Sequence, residues 1–306
     1  MILFASGRCD IAAYYSDWFF QRIQAGFVDV RNPYNPHQIS RIPLTDANVD
    51  AILFCTKNPL PMLSRLHEIP FPYLFHVTLT PYHQDVEPNV FEKQQICAGI
   101  KHLAKQIGKE RVVLRYDPIL LTHRYDLDYH IRAFTKLVNT LHDSCDRVII
   151  SFVDLYKNTK ANQQKIGMRS LSQADMIAIG KSFGLIGKKY HLPIQTCAEP
   201  IDLSSYGIQN DACISKSMME RLLHHPYDPP QGKGIRNCAC LPTVDIGDYN
   251  ACAHLCRYCY ANYDEIQVKE RMKMHDPHSS ILLGHLSEDD QITIRKEKDH
   301  KQMPLF

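Results

Sequence analysis

Five cysteines fall between residues 238 and 259, and three of them, Cys252, Cys256 and Cys259, stand at C-x3-C-x2-C in the string CAHLCRYCYA. Thiolates at this spacing can wrap a cubane [4Fe–4S] cluster through three of its irons, leaving the fourth open to a small chelating ligand. Zinc is the alternative. It favours four closed ligands, often from paired C-x2-C knuckles. One C-x2-C pair is present here, with Cys238, Cys240 or His254 available to complete a tetrahedral site. The crowding of five of the chain's eleven cysteines into one segment argues for metal over disulfide in a reducing compartment.

The elements that must carry this loop are short apolar runs alternating with amphipathic stretches. Strands are expected at 2–5, 51–55, 73–79, 111–116, 147–153, 192–197 and 243–247. Helices are expected at about 11–25, briefly after Pro59, at 91–107 and 128–142, from a Ser172 cap, and near 214–224. Strands apolar on both faces point to a parallel sheet. The expectation is an α/β fold, a complete or partial (β/α) TIM-type barrel over residues 1–285 that includes the cysteine cluster at 238–259. A doubly wound open sheet is the alternative, and residues 286–306 read as a flexible charged tail. A net charge of +2 gives no case for bulk attraction to nucleic acid or membrane. No apolar run is long enough for a membrane helix, and the first residues lack a signal-peptide pattern, so a cytoplasmic protein is expected.

In parallel barrels chemistry collects at the C-terminal strand ends. Those ends carry Ser6, Gly7, Arg8, Cys9 and Asp10, then Thr56, Lys57 and Asn58, Thr78 and Thr80, Arg115 and Asp117, Asp154, and Cys197 and Glu199. Helix caps and solvated loop starts account for any one of them. Together they describe a polar pocket for a charged ligand. Cys97 and Cys145 read as small buried hydrophobes, and core packing also suits Cys9, Cys55 and Cys197 taken singly. Cys213, Cys238 and Cys240 are candidates for a second site, an auxiliary cluster or zinc, or for a hydrogen-atom donor.

With Tyr258 before its last cysteine, CAHLCRYCYA resembles the signature of radical SAM enzymes, in the form found in spore photoproduct lyase and its relatives. Together with TKNP at 56–59, RYDPI at 115–119, SFVDLY at 151–156 and DIGDY at 245–249, it resembles an uncharacterised bacterial family with such a motif near the C-terminus, over most of residues 1–285. The resemblance implies that Cys252, Cys256 and Cys259 hold [4Fe–4S]. It implies that S-adenosylmethionine chelates the open iron, and that an electron donor such as flavodoxin or ferredoxin triggers its cleavage to a 5′-deoxyadenosyl radical. Candidate cofactor-binding residues are Ser6, Gly7, Arg8, Lys57, Arg115, Glu199 and Tyr258; catalytic candidates are Cys9, Cys197, Asp117 and Glu199. No Gly-Gly-Glu string occupies its usual place. The motif also follows the last strand, where these enzymes carry it after the first. A circular permutation accounts for this, and it requires strand 243–247 to lie beside strand 2–5.

The chain closes on QMPLF. Gln302, Met303, Leu305 and Phe306 resemble the peptide by which bacterial repair and replication proteins dock on the sliding clamp, an extended segment with apolar anchors. That resemblance implies work on nucleic acid, DNA repair being the leading expectation. The rival expectation is a zinc-stapled barrel acting as a DNA-associated adaptor or hydrolase.

Overall fold

The computed structural model describes residues 1–154, 157–229 and 239–296. The chain opens with β1 (Ile2–Ala5), α1 (Ile11–Tyr14) and α2 (Ser16–Ala25). The helix expected over 11–25 is thus interrupted at Tyr15, and Gly26, at φ 74°, ends it, a left-handed conformation that glycine adopts without a Cβ penalty. A hairpin not expected from the sequence follows, β2 (Phe27–Asn32) and β3 (Asn35–Pro43). Next come β4 (Ala51–Thr56), a 3-10 segment at Leu60–Glu68, β5 (Tyr73–Thr78), α3 (Lys93–Ile107), β6 (Val112–Ile119), α4 (Leu127–Leu141) and β7 (Arg147–Phe152). The described chain finishes with α5 (Lys157–Lys165), α6 (Gln173–Lys189), β8 (Ile194–Thr196), β9 (Ile208–Asn210), α7 (Lys216–Leu223), β10 (Thr243–Asp245), α8 (Glu265–Lys273) and β11 (Gln291–Ile294). Local chemistry sets these boundaries. Asp126 caps α4 by accepting from Tyr129 N–H, and Ser172 with Asp175 forms a reciprocal capping box on α6.

Eight strands form one parallel sheet in the order β10-β1-β4-β5-β6-β7-β8-β9. As expected, strand 243–245 lies beside β1, with Ile2 opposite Thr243 and Phe4 opposite Asp245. The complete barrel is not formed: no ladder joins β9 to β10 among the described residues. The packing explains why. One face of the sheet buries Leu3, Ile52, Phe54 and Phe75 against α1–α4 and α6. On the other face, Ile2, Ala51, Leu53 and Leu74 pack against Met218, Met219 and Leu222 of α7. A helix covers the apolar side that a closed barrel would fill with side chains from opposite strands. The gap between the edge strands is spanned by irregular chain, with Leu241 N–H donating to Ile214 O at 2.9 Å.

A second sheet, β11-β3-β2, holds part of the segment expected as tail. Gln291–Ile294 pairs in parallel with β3, and Asp290 accepts from both Arg31 nitrogens at 2.6 and 2.9 Å. Upstream, Trp18 Nε1 donates to Ser279 O at 2.9 Å, so the chain after α8 is bound to α2. No helix among the described residues is long and apolar enough to cross a membrane.

Candidate metal and cofactor site

The C-terminal strand ends surround a cavity of about 380 Å³, within the ordinary range for small-molecule sites. Of the residues singled out in the sequence, Ser6, Gly7, Arg8, Cys9, Lys57, Arg115, Asp117, Cys197, Cys213, Cys240 and Tyr258 line it, together with Cys252, Cys256 and Cys259. Glu199 is not on the cavity wall; its carboxylate accepts from Phe152 N–H at 2.9 Å. Cys97 and Cys145 do not line it; Cys145 is buried, as the packing reading expects, and donates to Leu141 O at 3.4 Å, whereas Cys97 is half-buried. Cys238 and the terminal Gln302, Met303, Leu305 and Phe306 lie outside the described residues.

The C-x3-C-x2-C loop is fixed from two sides. Towards β1, buried Asp10 accepts from Ala13 N–H at 3.0 Å, Lys57 N–H at 2.7 Å and His254 Nε2 at 2.9 Å. Because a carboxylate can only accept, Nε2 carries a proton, while Nδ1 meets Tyr14 Oη at 3.0 Å. Both ring nitrogens of His254 are used in these bonds, which hold the loop against Asp10 and Tyr14. Tyr15 adds a bond to Ala251 O at 2.7 Å. On the far side the loop meets the segment after β5, with Arg257 N–H donating to Val86 O and Asn89 Nδ2 to Ala253 O. Within it, Asn262 Nδ2 donates to Cys252 O at 2.7 Å, and Ala261 N–H approaches Cys259 Sγ at 3.4 Å.

Glu87, which the sequence reading passed over, is the charged centre of this wall. It accepts from Lys57 Nζ at 2.7 Å, Thr80 Oγ1 at 2.5 Å, and also from Lys93 and the Tyr258 hydroxyl. Burial raises the cost of its charge, but Lys57 and Lys93 prevail and hold its pKa down to about 2. Lys57 therefore reaches the cavity already neutralised. Arg115 is likewise paired, with Asp117 at 2.5 Å. Arg8 is the looser cation, 3.9 Å from Asp245 and 5.4 Å from the Tyr249 ring centroid.

Burial keeps the loop thiols protonated in the absence of a cation, with Cys252 and Cys259 raised and Cys256 pushed up to about 12. A bound metal reverses that preference by deprotonating its thiols. A second group of thiols faces the same cavity. Cys197, Cys213 and Cys240 have sulfurs all within 4.8 Å of one another, a group that could hold a metal ion. Among the described residues it is the one such set, so the sulfurs of the 252–259 loop are spread more widely.

A family model described as a domain of unknown function (DUF1848) matches residues 2–261. The chain belongs to that family. No curated protein and no solved structure matches it. The family's span takes in every cavity residue named above and ends two residues beyond Cys259, leaving α8 and β11 outside it.

Proposed function

We propose that this DUF1848 protein is an iron–sulfur enzyme of the radical SAM type, with Cys252, Cys256 and Cys259 as the ligands of one [4Fe–4S] cluster. The observation that carries the reading is the convergence of three half-buried thiols of one loop on a cavity that charged side chains also line, at the C-terminal edge of a parallel sheet. Their wider spread suits a cubane, in which each thiolate takes a different iron. When bound, such a cluster with S-adenosylmethionine supplies one-electron chemistry. The chain's residues do the rest. Asp10, His254 and Tyr14 orient the loop, the Lys57–Glu87 pair with Tyr258 closes its inner wall, and the Arg8 guanidinium offers the cation that a carboxylate needs. Arg115 with Asp117 presents a paired charge to the polar part of a ligand. Cys9 is a buried, protonated thiol on the same cavity, the state required of a hydrogen-atom donor.

The adjacency of β10 and β1 supports a circular permutation of the radical SAM half-barrel, with the cluster loop moved from the first unit to the last. A DNA substrate, and docking to the sliding clamp through Gln302, Met303, Leu305 and Phe306, remain part of this proposal.

The test is anaerobic reconstitution with iron and sulfide. About four irons per chain are expected, along with 5′-deoxyadenosine formation under dithionite, and both are lost in the C252A/C256A/C259A variant. Iron and sulfide unchanged in that variant overturns the ligand assignment. S-adenosylmethionine left intact by a reducible cluster overturns the activity.

A further inference from the structure

Cys197, Cys213 and Cys240 reach the cavity from three places far apart in sequence: the end of β8, the turn after β9 and the approach to β10. Cys240 Sγ lies 3.5 Å from Cys197 Sγ and 3.2 Å from Cys213 Sγ. At a zinc–sulfur length of about 2.3 Å, a tetrahedral ion sets its thiolates roughly 3.8 Å apart, so the two separations from Cys240 need open by only a few tenths of an ångström to admit one ion. A multi-iron cluster, which gives each thiolate its own metal, needs a wider set. All three cysteines are free of disulfide.

The backbone around the thiols is fixed independently of them. Leu241 N–H donates to Ile214 O at 2.9 Å and Asp211 N–H to Thr196 O at 3.0 Å, which ties the chain beside each cysteine to the chain beside another. The Leu241–Ile214 bond sits where the sheet fails to close, between β9 and β10, and the Asp211–Thr196 bond extends the β8–β9 ladder, so an ion joining Cys240 to Cys197 and Cys213 would clamp the two free edges. We propose that Cys197, Cys213 and Cys240 bind one thiophilic divalent cation of the zinc class. Among the described residues no histidine or carboxylate joins the group; Cys238, two positions before Cys240, lies outside them. The inference is independent of the iron–sulfur reading, because it uses a different set of cysteines.

The experiment is zinc and cobalt binding by the full chain, purified metal-free under reducing conditions. One equivalent of Co(II) is expected to give thiolate charge-transfer and tetrahedral d–d bands in unsubstituted protein and in C252A/C256A/C259A alike. Zinc should displace it stoichiometrically. Cys213→Ser and Cys240→Ser, each with an unchanged circular-dichroism spectrum, should weaken zinc binding at least about 100-fold. Absence of charge-transfer bands in unsubstituted protein, bands lost only with the 252–259 cysteines, or a disulfide within the group under reducing conditions would overturn the site.

Discussion

Two buried histidines show how strongly the interior of this sheet selects protonation states. His130 on α4 is fully buried, with Nε2 against Leu120 O and Nδ1 against Tyr116 Oη, both at 2.9 Å. The carbonyl fixes the proton on Nε2, leaving Nδ1 to accept from the tyrosine. Burial lowers its pKa to about 4 despite the raising effect of the Leu120 carbonyl, and burial with the Arg115 charge lowers that of His76 to about 3. In the unfolded chain each protonates near pH 6.5, so the unfolded state binds more protons below that value. Stability from His130 is therefore present above pH 6.5 and lost as pH falls towards 4, about 2 kcal/mol between pH 7 and pH 5. His130→Gln keeps a donor and an acceptor without the titration. The drop in unfolding free energy from pH 7 to pH 5 should be smaller in that variant by about this amount. An equal drop in both proteins would show that His130 is not held neutral.

At the scale of elements, packing of α6 on the β8–β9 connection gives a direct steric test. A Cβ on Gly184 would lie 2.0 Å from the Tyr206 carbonyl oxygen, a backbone atom that cannot swing aside. Gly184→Ala should cost about 1–3 kcal/mol, read as a lower denaturation midpoint with an unchanged denaturant slope; no change in midpoint would mean that the helix rests farther from the strand. Helices such as α4 and α6 were legible in the sequence because caps and apolar stripes are local signals. Most strands of the large sheet were legible because both their faces are buried. The β2–β3 hairpin was not, since residues 33–38 are exposed and carry no apolar alternation. Nor was β11, whose four residues are all exposed and gain their order from pairing with β3. The same limit applies to the site. The C-x3-C-x2-C loop announces itself in eight residues, whereas Cys197 joins Cys213 and Cys240 only through tertiary structure. Glu87 sits in a polar turn where no spacing distinguishes it. Arg115 and Lys57 were recognised as cavity cations, but their neutralising partners were not both visible.

For the whole molecule, the decisive feature is that the cavity is assembled from opposite ends of the chain. The Asp245 carboxylate, at the end of β10, accepts from Ser6 Oγ at 2.6 Å and from the backbone N–H groups of Gly7 and Gly247, each at 2.7 Å. His254 reaches Asp10 and Tyr260 reaches the Gly7 carbonyl, so one patch of hydrogen bonds joins residues 6–10 to residues 245–260. The ladder between β1 and β10 is three residue pairs long, too short to hold the edge strand unaided. Asp245→Ala leaves Gly7 and Gly247 N–H groups without their acceptor, at about 1–3 kcal/mol each where water cannot replace it. Asp245→Asn retains one acceptor oxygen and should be the milder change. In hydrogen exchange the alanine variant should lose protection in segments 2–10 and 243–262 together, while β6 and β7 keep theirs, because local opening follows cooperative units. The iron loading proposed for the 252–259 loop should fall in parallel, since that loop depends on the same patch for its position. Protection lost in only one of the two segments would mean that the chain ends are held separately, and that the cavity does not depend on their junction.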